Sequence, residues 1–307
     1  MDIVAFTDEH LEGAAAVLAE RHAAHLAVEP LLPRRADFAA QVERERENAT
    51  GAVALEGGEV VGYLLGPRRE DSIGGHVWSA AAGHAVTEPE LIRDIYAVAA
   101  ERWVADGLTR HFVYVPAMRE LVEPWLRLSF GISAAQAAME TRPSLPAAAG
   151  AGITVRPSRP EDTPVAAAYD RELHLHLERS PSFSGLTTGD DQEVLDEWRN
   201  LHEEPEFTHF VAEQDGRIVG HLLLYRRPEG DLRVPPDSID IGNALTEAGV
   251  RGSGAGLALT EHAIGWAHEH GYEALITDWR MTNLLASRFW PRRGFRETFL
   301  RLYRSIP

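Results

Sequence analysis

The 307-residue chain has no cysteine, which excludes disulfides, thiolate metal ligands, a cysteine nucleophile and any thiol-linked acyl-enzyme. Lysine is missing as well, so all 30 basic residues are arginine; with the richness in alanine this reads as a compositional bias from which no function follows. No apolar run approaches the roughly 20 residues needed to cross a bilayer. The first residues, Met1-Asp2-Ile3-Val4-Ala5-Phe6, lack the basic segment, apolar stretch and small-residue cleavage site of a secretory signal, so a cytoplasmic location is expected. Positive charge is scarce: 47 acidic side chains give a formal net charge of -17, and both halves are acidic. Such a field opposes nucleic acid and anionic membranes, neither of which is expected as a partner, and favours cationic small molecules or basic peptides.

What is present points to two compact domains, as the length favours at roughly 100 to 200 residues each. The stretch from Thr141 to Gly152 is rich in proline, glycine and alanine and reads as an exposed connector, placing a boundary near residue 147 and domains at 1–147 and 148–307. Landmarks recur in the same order on either side of it. Val53 to Leu65 parallels Phe210 to Leu224, each reading as strand, glycine turn and strand. Gly83-His-Ala-Val-Thr-Glu88 matches Gly242-Asn-Ala-Leu-Thr-Glu247, Trp103 and Gly107 answer Trp266 and Gly271, and Trp125 stands before Phe130 as Trp290 stands before Phe295. The chain therefore reads as a tandem duplication.

In the second copy, strands are expected at Ile153–Arg156, in a hairpin over 209–225, at Ser238–Thr246, at Ala274–Trp279 and at Phe295–Tyr303. Helices fall between them: one after Pro160, one from about Gly254 to His270 with Leu259, Ala263, Trp266 and His270 on one face, and a short one from Asn283. Gly271 reads as the stop of the longer helix. This order of elements gives an α/β (α+β) sheet protein.

The segment Val250-Arg251-Gly252-Ser253-Gly254-Ala255-Gly256-Leu257 lies between a strand and an amphipathic helix. Glycines there let successive backbone N–H groups converge on an anion at the positive end of the helix, which is how a pyrophosphate is held. A nucleotide-hydrolase phosphate loop needs a lysine that the chain lacks. The dinucleotide fingerprint needs a glycine at 257 or 259, and leucine occupies both.

With Arg251, Gly254 and Gly256, this segment resembles the Q/R-x-x-G-x-G/A signature of the GNAT superfamily of N-acetyltransferases. Downstream, Asn283-Leu-Leu-Ala286-Ser287-Arg-Phe289-Trp290 and Gly294-Phe295 resemble the family's N-x-x-A-x-x-F-Y-x-x-x-G-F segment, and the likeness covers about residues 153 to 304. It implies two tandem GNAT-like domains, each a mixed, mostly antiparallel central sheet flanked by helices. It also implies acetyl-CoA (coenzyme A) as cofactor, bound by the loop Arg251, Gly252, Ser253, Gly254, Ala255 and Gly256. The strand ending at Leu245 and Thr246 would splay from its neighbour and offer backbone groups to the pantetheine arm. Asn283 would touch the same arm, with Ser287 and Trp290 beside the thioester.

In this family an amine attacks the thioester directly, so the protein must align two partners and remove a proton. Asp240 stands near the position where relatives carry the base, with Asp237 as a neighbour; strict alternation puts Ser238, Asp240 and Gly242 on one face of the strand. Trp290 stands where relatives often have a tyrosine acid, and an indole N–H cannot protonate a thiolate. His174 and His176 carry no third ligand at a familiar spacing, so no metal is expected; by the resemblance they border the acceptor pocket, and Asp278-Trp279-Arg280 faces the same cleft.

The first copy has Thr87-Glu88-Pro89-Glu90-Leu91-Ile92-Arg93-Asp94 at the place of the glycine loop, with carboxylates where an anion would bind. It is expected to keep the fold without the cofactor site. The overall expectation is acetyl transfer to an amine of a small molecule or peptide by a monomer or homodimer. A transferase for longer acyl-CoA, or an acetyl-CoA-binding sensor without turnover, keeps the same motifs.

Overall fold

A computed structural model of the chain describes all residues except 35, 72–73, 146–151, 186–188, 202–203 and 229. The boundary expected at residue 147 lies outside the described residues. Two compact units form, and neither is continuous in sequence. The first comprises Met1–Gln136, Gly230–Pro235 and Glu297–Pro307, the second Ala137–Glu229 and Pro236–Arg296.

The first unit contains strands β1 (Asp2–Ala5), β2 (Ala49–Glu56), β3 (Glu59–Asp71), β4 (Gly74–Ser79), β5 (His84–Val86) and β6 (Arg110–Pro116), with helices α1 (Leu11–Val28), α2 (Phe38–Arg46), α3 (Leu91–Ala105) and α4 (Arg119–Arg127). Strand β7 (Gly131–Glu140) gives its residues up to Gln136 to this unit and the rest to the second. Strands β1, β2 and β3 pair antiparallel in sequence order, β4 follows β3, and β6 runs parallel to β4. The hairpin predicted from Val53 to Leu65 is β2–β3, because Gly57 and Gly58 both take positive φ at its tip. Phe6, Leu18, Val42, Val53, Tyr63 and Leu65 build the core between the sheet and α1–α2. On another side Trp103 of α3 is buried and donates its indole N–H to Thr50 Oγ1 at 3.0 Å.

The second unit contains β8 (Ile153–Pro157), α5 (Thr163–Glu178), α6 (Asp191–Leu201), β9 (Phe207–Gln214), β10 (Arg217–Tyr225), β11 (Ser238–Thr246), α7 (Ala255–Glu269), β12 (Ala274–Arg280) and α8 (Leu284–Phe289). The chain ends in β13 (Arg296–Ser305), which pairs antiparallel with β6 in the first unit. Strands β8 to β11 are antiparallel neighbours in order, and β12 runs parallel to β11. Helices α5 and α6 cover one side of the sheet through Ala166, Ala167, Val194, Trp198 and Leu223. Helix α7 buries Ala258, Leu259, Ala263, Ile264 and Ala267, an apolar face toward the strands. Gly271, at φ +82°, ends it as predicted. Helix α6 has no counterpart in the elements expected from sequence; its apolar positions are few and its other faces are charged. The mixed, mostly antiparallel sheet flanked by helices agrees with the expected fold class.

Among the described residues, no helix is long and apolar enough to cross a membrane.

Candidate functional site

Two departures from regular pairing open the second unit. The parallel register of β11 with β12 runs from Ser238–Ala274 to Ile241–Thr277, yet β11 continues to Thr246 and β12 to Arg280, so the strands part beyond that point. One step earlier, Leu223 pairs with Asn243 and Leu224 with Ile241, which leaves Gly242 as the extra residue of a bulge. A β-carbon there would fall 2.6 Å from the Tyr225 ring, so only glycine fits. The bulge breaks the strict alternation assumed from sequence: Gly242 is exposed while Ser238, Ile239, Asp240 and Ile241 are all buried.

The parting strands border a cleft of about 550 Å³. One wall is the end of β11, Ala244, Leu245 and Thr246; another is α8 and its flank, with Asn283, Ala286, Phe289 and Trp290. The glycine loop closes one end through Arg251, Gly252, Gly254, Ala255 and Gly256. Leu173 and His176 of α5 and His221 of β10 also line it.

The local chemistry of the loop follows from its backbone. Gly252 and Gly254 sit at φ +86° and +96°, a region that resists side chains, and Gly254 is the N-cap of α7. The first amides of a helix have no carbonyl partner within it. Here that turn faces the cleft, with Arg251 and Arg293 adding charge at the same end. A β-carbon at Gly256 would press on Thr246 Oγ1 at 3.2 Å, so the third glycine lets helix and strand approach. Backbone N–H groups, a helix N-terminus and two guanidinium groups together form an anion cradle suited to a pyrophosphate.

Not every residue expected at the site lines this cleft. Ser253 is absent from the lining, and its Oγ instead accepts from the Ala255 amide at 3.4 Å. Ser287 is absent too, half-buried on the short α8. Asn283 does line it, capping α8 through Oδ1, which also lies 3.3 Å from His176 Nε2. Trp290 lines it and is buried, its ring 5.0 Å from Phe289 and 5.3 Å from Phe295.

Asp240 lies further along β11, beyond the end of the lining. It is 1% exposed and paired with the Arg227 guanidinium, which also reaches Asp278 at 3.5 Å and donates to the Tyr225 hydroxyl at 3.1 Å. Burial pushes the Asp240 carboxyl up to about 7, against the pull of Arg227 and with help from Asp278. Its Oδ1 has no hydrogen-bond partner. The alternative carboxylate, Asp237, is an exposed turn residue at φ +47° whose carbonyl accepts from the Glu273 amide at 2.7 Å.

His174 and His176 both lie on α5, where two residues apart do not share a face. Among the described residues, no cluster of three or more His, Asp or Glu side chains could hold a metal ion. Sequence reading did not single out His221 or Arg293. His221 is one apolar-flanked residue in a strand, and only the fold turns it to the cleft.

Comparisons with known proteins bear on the same region. The acetyltransferase (GNAT) family model matches residues 172–295. A curated relative, an L-2,4-diaminobutyric acid acetyltransferase of Nocardia farcinica, is 37% identical over 70 residues, covering 23% of this chain and 34% of that protein. The match thus spans about a third of the relative's length. Among solved structures, a GCN5-related N-acetyltransferase from Sphaerobacter thermophilus superposes with a TM-score of 0.62 at 18% identity, covering 99% of this chain and 95% of the other. The glucosamine N-acetyltransferase region of a fungal multidomain β-N-acetylglucosaminidase gives 0.54 at 14% identity, over 98% of this chain and 38% of the other. These two likenesses concern the fold. With the family match lying over the glycine loop, the parted strands and α8, residues 172–295 are a domain of the acetyltransferase (GNAT) family.

Proposed function

We propose that the chain is an N-acetyltransferase that moves an acetyl group from acetyl-CoA to an amine of a small molecule or peptide. The observation that carries this reading is the glycine turn at the head of α7, whose amides open onto a cleft that runs past the end of β11. Bound there, acetyl-CoA supplies an activated acetyl thioester.

The chain's own residues do the rest. The amides of Gly252, Gly254 and Gly256, with Arg251 and Arg293, would hold the acetyl-CoA pyrophosphate, while the Ser253 and Ala255 amides bond Val250 O and Ser253 Oγ. The backbone of Leu245 and Thr246, beyond the pairing with β12, would be open to the pantetheine amides, with Asn283 and Trp290 beside the arm. Asp240 takes the ammonium proton through water. Its unpartnered Oδ1 is the oxygen available for this, and a carboxyl pushed up to about 7 is matched to proton transfer at neutral pH. Trp290 acts by packing. We read the first unit as a copy of the same domain that has lost the cofactor loop.

The test is release of free CoA from acetyl-CoA across a panel of amines. The relative's substrate makes diamino acids the first acceptors to try. Amine-dependent release supports transfer. Tight binding of acetyl-CoA with no release from any amine would favour a sensor, and preference for longer thioesters would revise the acyl group.

A further inference from the structure

The stretch read from sequence as an exposed connector begins by docking on α7. Thr141 N donates to Glu273 O at 3.0 Å, just past the end of that helix. Arg142 then grips Glu261 with both terminal nitrogens, at 2.8 and 2.9 Å, and the Leu145 amide donates to the same carboxylate at 3.4 Å. A β-carbon at Gly265 would fall 2.6 Å from Ser144 Cβ, so glycine there lets the connector lie against the helix.

Residues four apart share a helix face, so Leu257, Glu261 and Gly265 form one line along α7. Leu257 lines the cleft, together with Thr260 and Arg293. Arg293 lies over the Phe289 ring, 5.2 Å from its centre, and a β-carbon at Gly256 would be 3.7 Å from the same ring, so the guanidinium stands beside the first turns of α7. Its Nε is buried without a hydrogen-bond partner. Glu261 is 8% exposed. Arg142 above all, then the Leu145 amide and Arg293, hold its carboxyl below the ordinary value, against the effect of burial. It is therefore a nearly buried anion at neutral pH. Stripped of Arg142, such a charge needs another partner, and Arg293 is the remaining cation that acts on it.

We propose that Arg142 is a positioning residue for the cofactor: by occupying both oxygens of Glu261 it keeps that carboxylate off Arg293, which stays free for the pyrophosphate at the head of α7. The proposal rests on the acetyl-CoA reading above and gives the connector a part in it. A guanidinium already paired with a carboxylate must break that pair before it bonds a phosphate, and the carboxylate itself repels the ligand. Removing Arg142 alone sets Glu261 against the cofactor, and removing the Glu261 charge as well takes the effect away.

Acetyl-CoA affinity of the full chain, measured by calorimetry, tests the sign of this coupling. Arg142→Met should weaken binding by about fivefold or more, Glu261→Gln should stay within about twofold of the wild type, and the double variant should return to within about twofold. A contact that merely fastens the connector gives another order: either single change loosens it and the double variant binds no better than Arg142→Met. That outcome overturns the inference while the cofactor reading stands. Should Arg142→Met not fold, Arg142→Lys takes its place, with one bond to Glu261 instead of two and a smaller loss that Glu261→Gln again cancels. A crystal structure of ligand-free Arg142→Met, or of Arg142→Lys in its place, needs no cofactor: the Glu261 carboxylate should lie within about 4 Å of the Arg293 guanidinium. A carboxylate that stays turned from Arg293 overturns the proposal. If the wild type binds no acetyl-CoA, the cofactor reading fails instead, and the crystal structure still decides whether Arg142 separates the pair.

Discussion

The two units carry the same order of landmarks and treat the head of the matching helix in opposite ways. In the first, the turn before α3 spends its amides internally: Leu91 N bonds Glu88 O at 3.0 Å, Ile92 N bonds Pro89 O at 3.4 Å and Arg93 N bonds Glu90 O at 3.1 Å. Glu90 then pairs with Arg93 and Arg127, both at 2.9 Å, so the helix end holds a carboxylate of its own. In the second, Val250 N and Ser253 N also bond backbone carbonyls, at 3.1 Å each, but Gly252 and Gly254 take positive φ and the head of α7 faces a cleft.

The matched strands differ likewise. Gly83 answers Gly242, so Ala81 stands where the second copy has Asp240. The carbonyls around Ala81 are taken by side chains: buried Arg21 donates to Ala81 O at 2.6 Å and to His84 O, and Tyr63 donates to Ala82 O at 2.6 Å. Desolvation holds Arg21 down to about 10. One scaffold thus either closes its backbone groups on itself, which favours packing, or leaves them for a ligand.

The sharpest way to break this comparison is to remove the charge at position 240, where the first unit has the neutral Ala81. Asp240→Asn should cut turnover by about 100-fold or more while acetyl-CoA affinity changes by less than about twofold. The wild-type rate should rise with pH through about 7, because the raised carboxyl becomes a base only once it loses its proton, and the variant should lose that limb. Superimposable pH–rate profiles would remove Asp240 from the mechanism.

Next in size is the loop. Gly254→Asp places a charged side chain at φ +96° where the anion approaches, in imitation of the first unit, and acetyl-CoA affinity should fall at least tenfold, about 1.4 kcal/mol. Calorimetry showing unchanged affinity in the folded variant would mean the loop is not the site.

A smaller effect is expected at the tryptophans that answer each other. Trp125 is buried against Phe130 at 5.0 Å and Trp290 against Phe295 at 5.3 Å, so both read as packing groups. Trp290→Phe should slow turnover by only a few fold, well short of the roughly 100-fold loss of an acid–base group. A larger drop with intact cofactor affinity would point to the indole itself.

The smallest effect sharpens the contrast. Glu90→Gln should leave acetyl-CoA binding at one site per chain, since the amides at the head of α3 stay bonded to Glu88, Pro89 and Glu90 carbonyls. Two equivalent sites in the wild type would refute the reading of the first unit as a copy without a cofactor site.

The sequence by itself determined whatever depends on short-range spacing. Strand β11 spans Ser238–Thr246 as expected, and α7 begins one residue after the glycine that caps it. The loop glycines were legible because positive φ admits few other residues, and the acidic replacement in the first copy was legible for the same reason. Tertiary structure decided what depends on partners distant in sequence. The bulge at Gly242 arises from pairing with Leu223 and Leu224, and it breaks an alternation that the strand alone implies. The burial of Asp240 depends on Arg227, thirteen residues away and on the far side of a loop. His221 is buried only because β9, α5 and α6 close around it, and β13 joins β6 across nearly two hundred residues of chain. Local backbone preferences are encoded residue by residue, whereas desolvation and unpaired polar atoms exist only after distant segments have met.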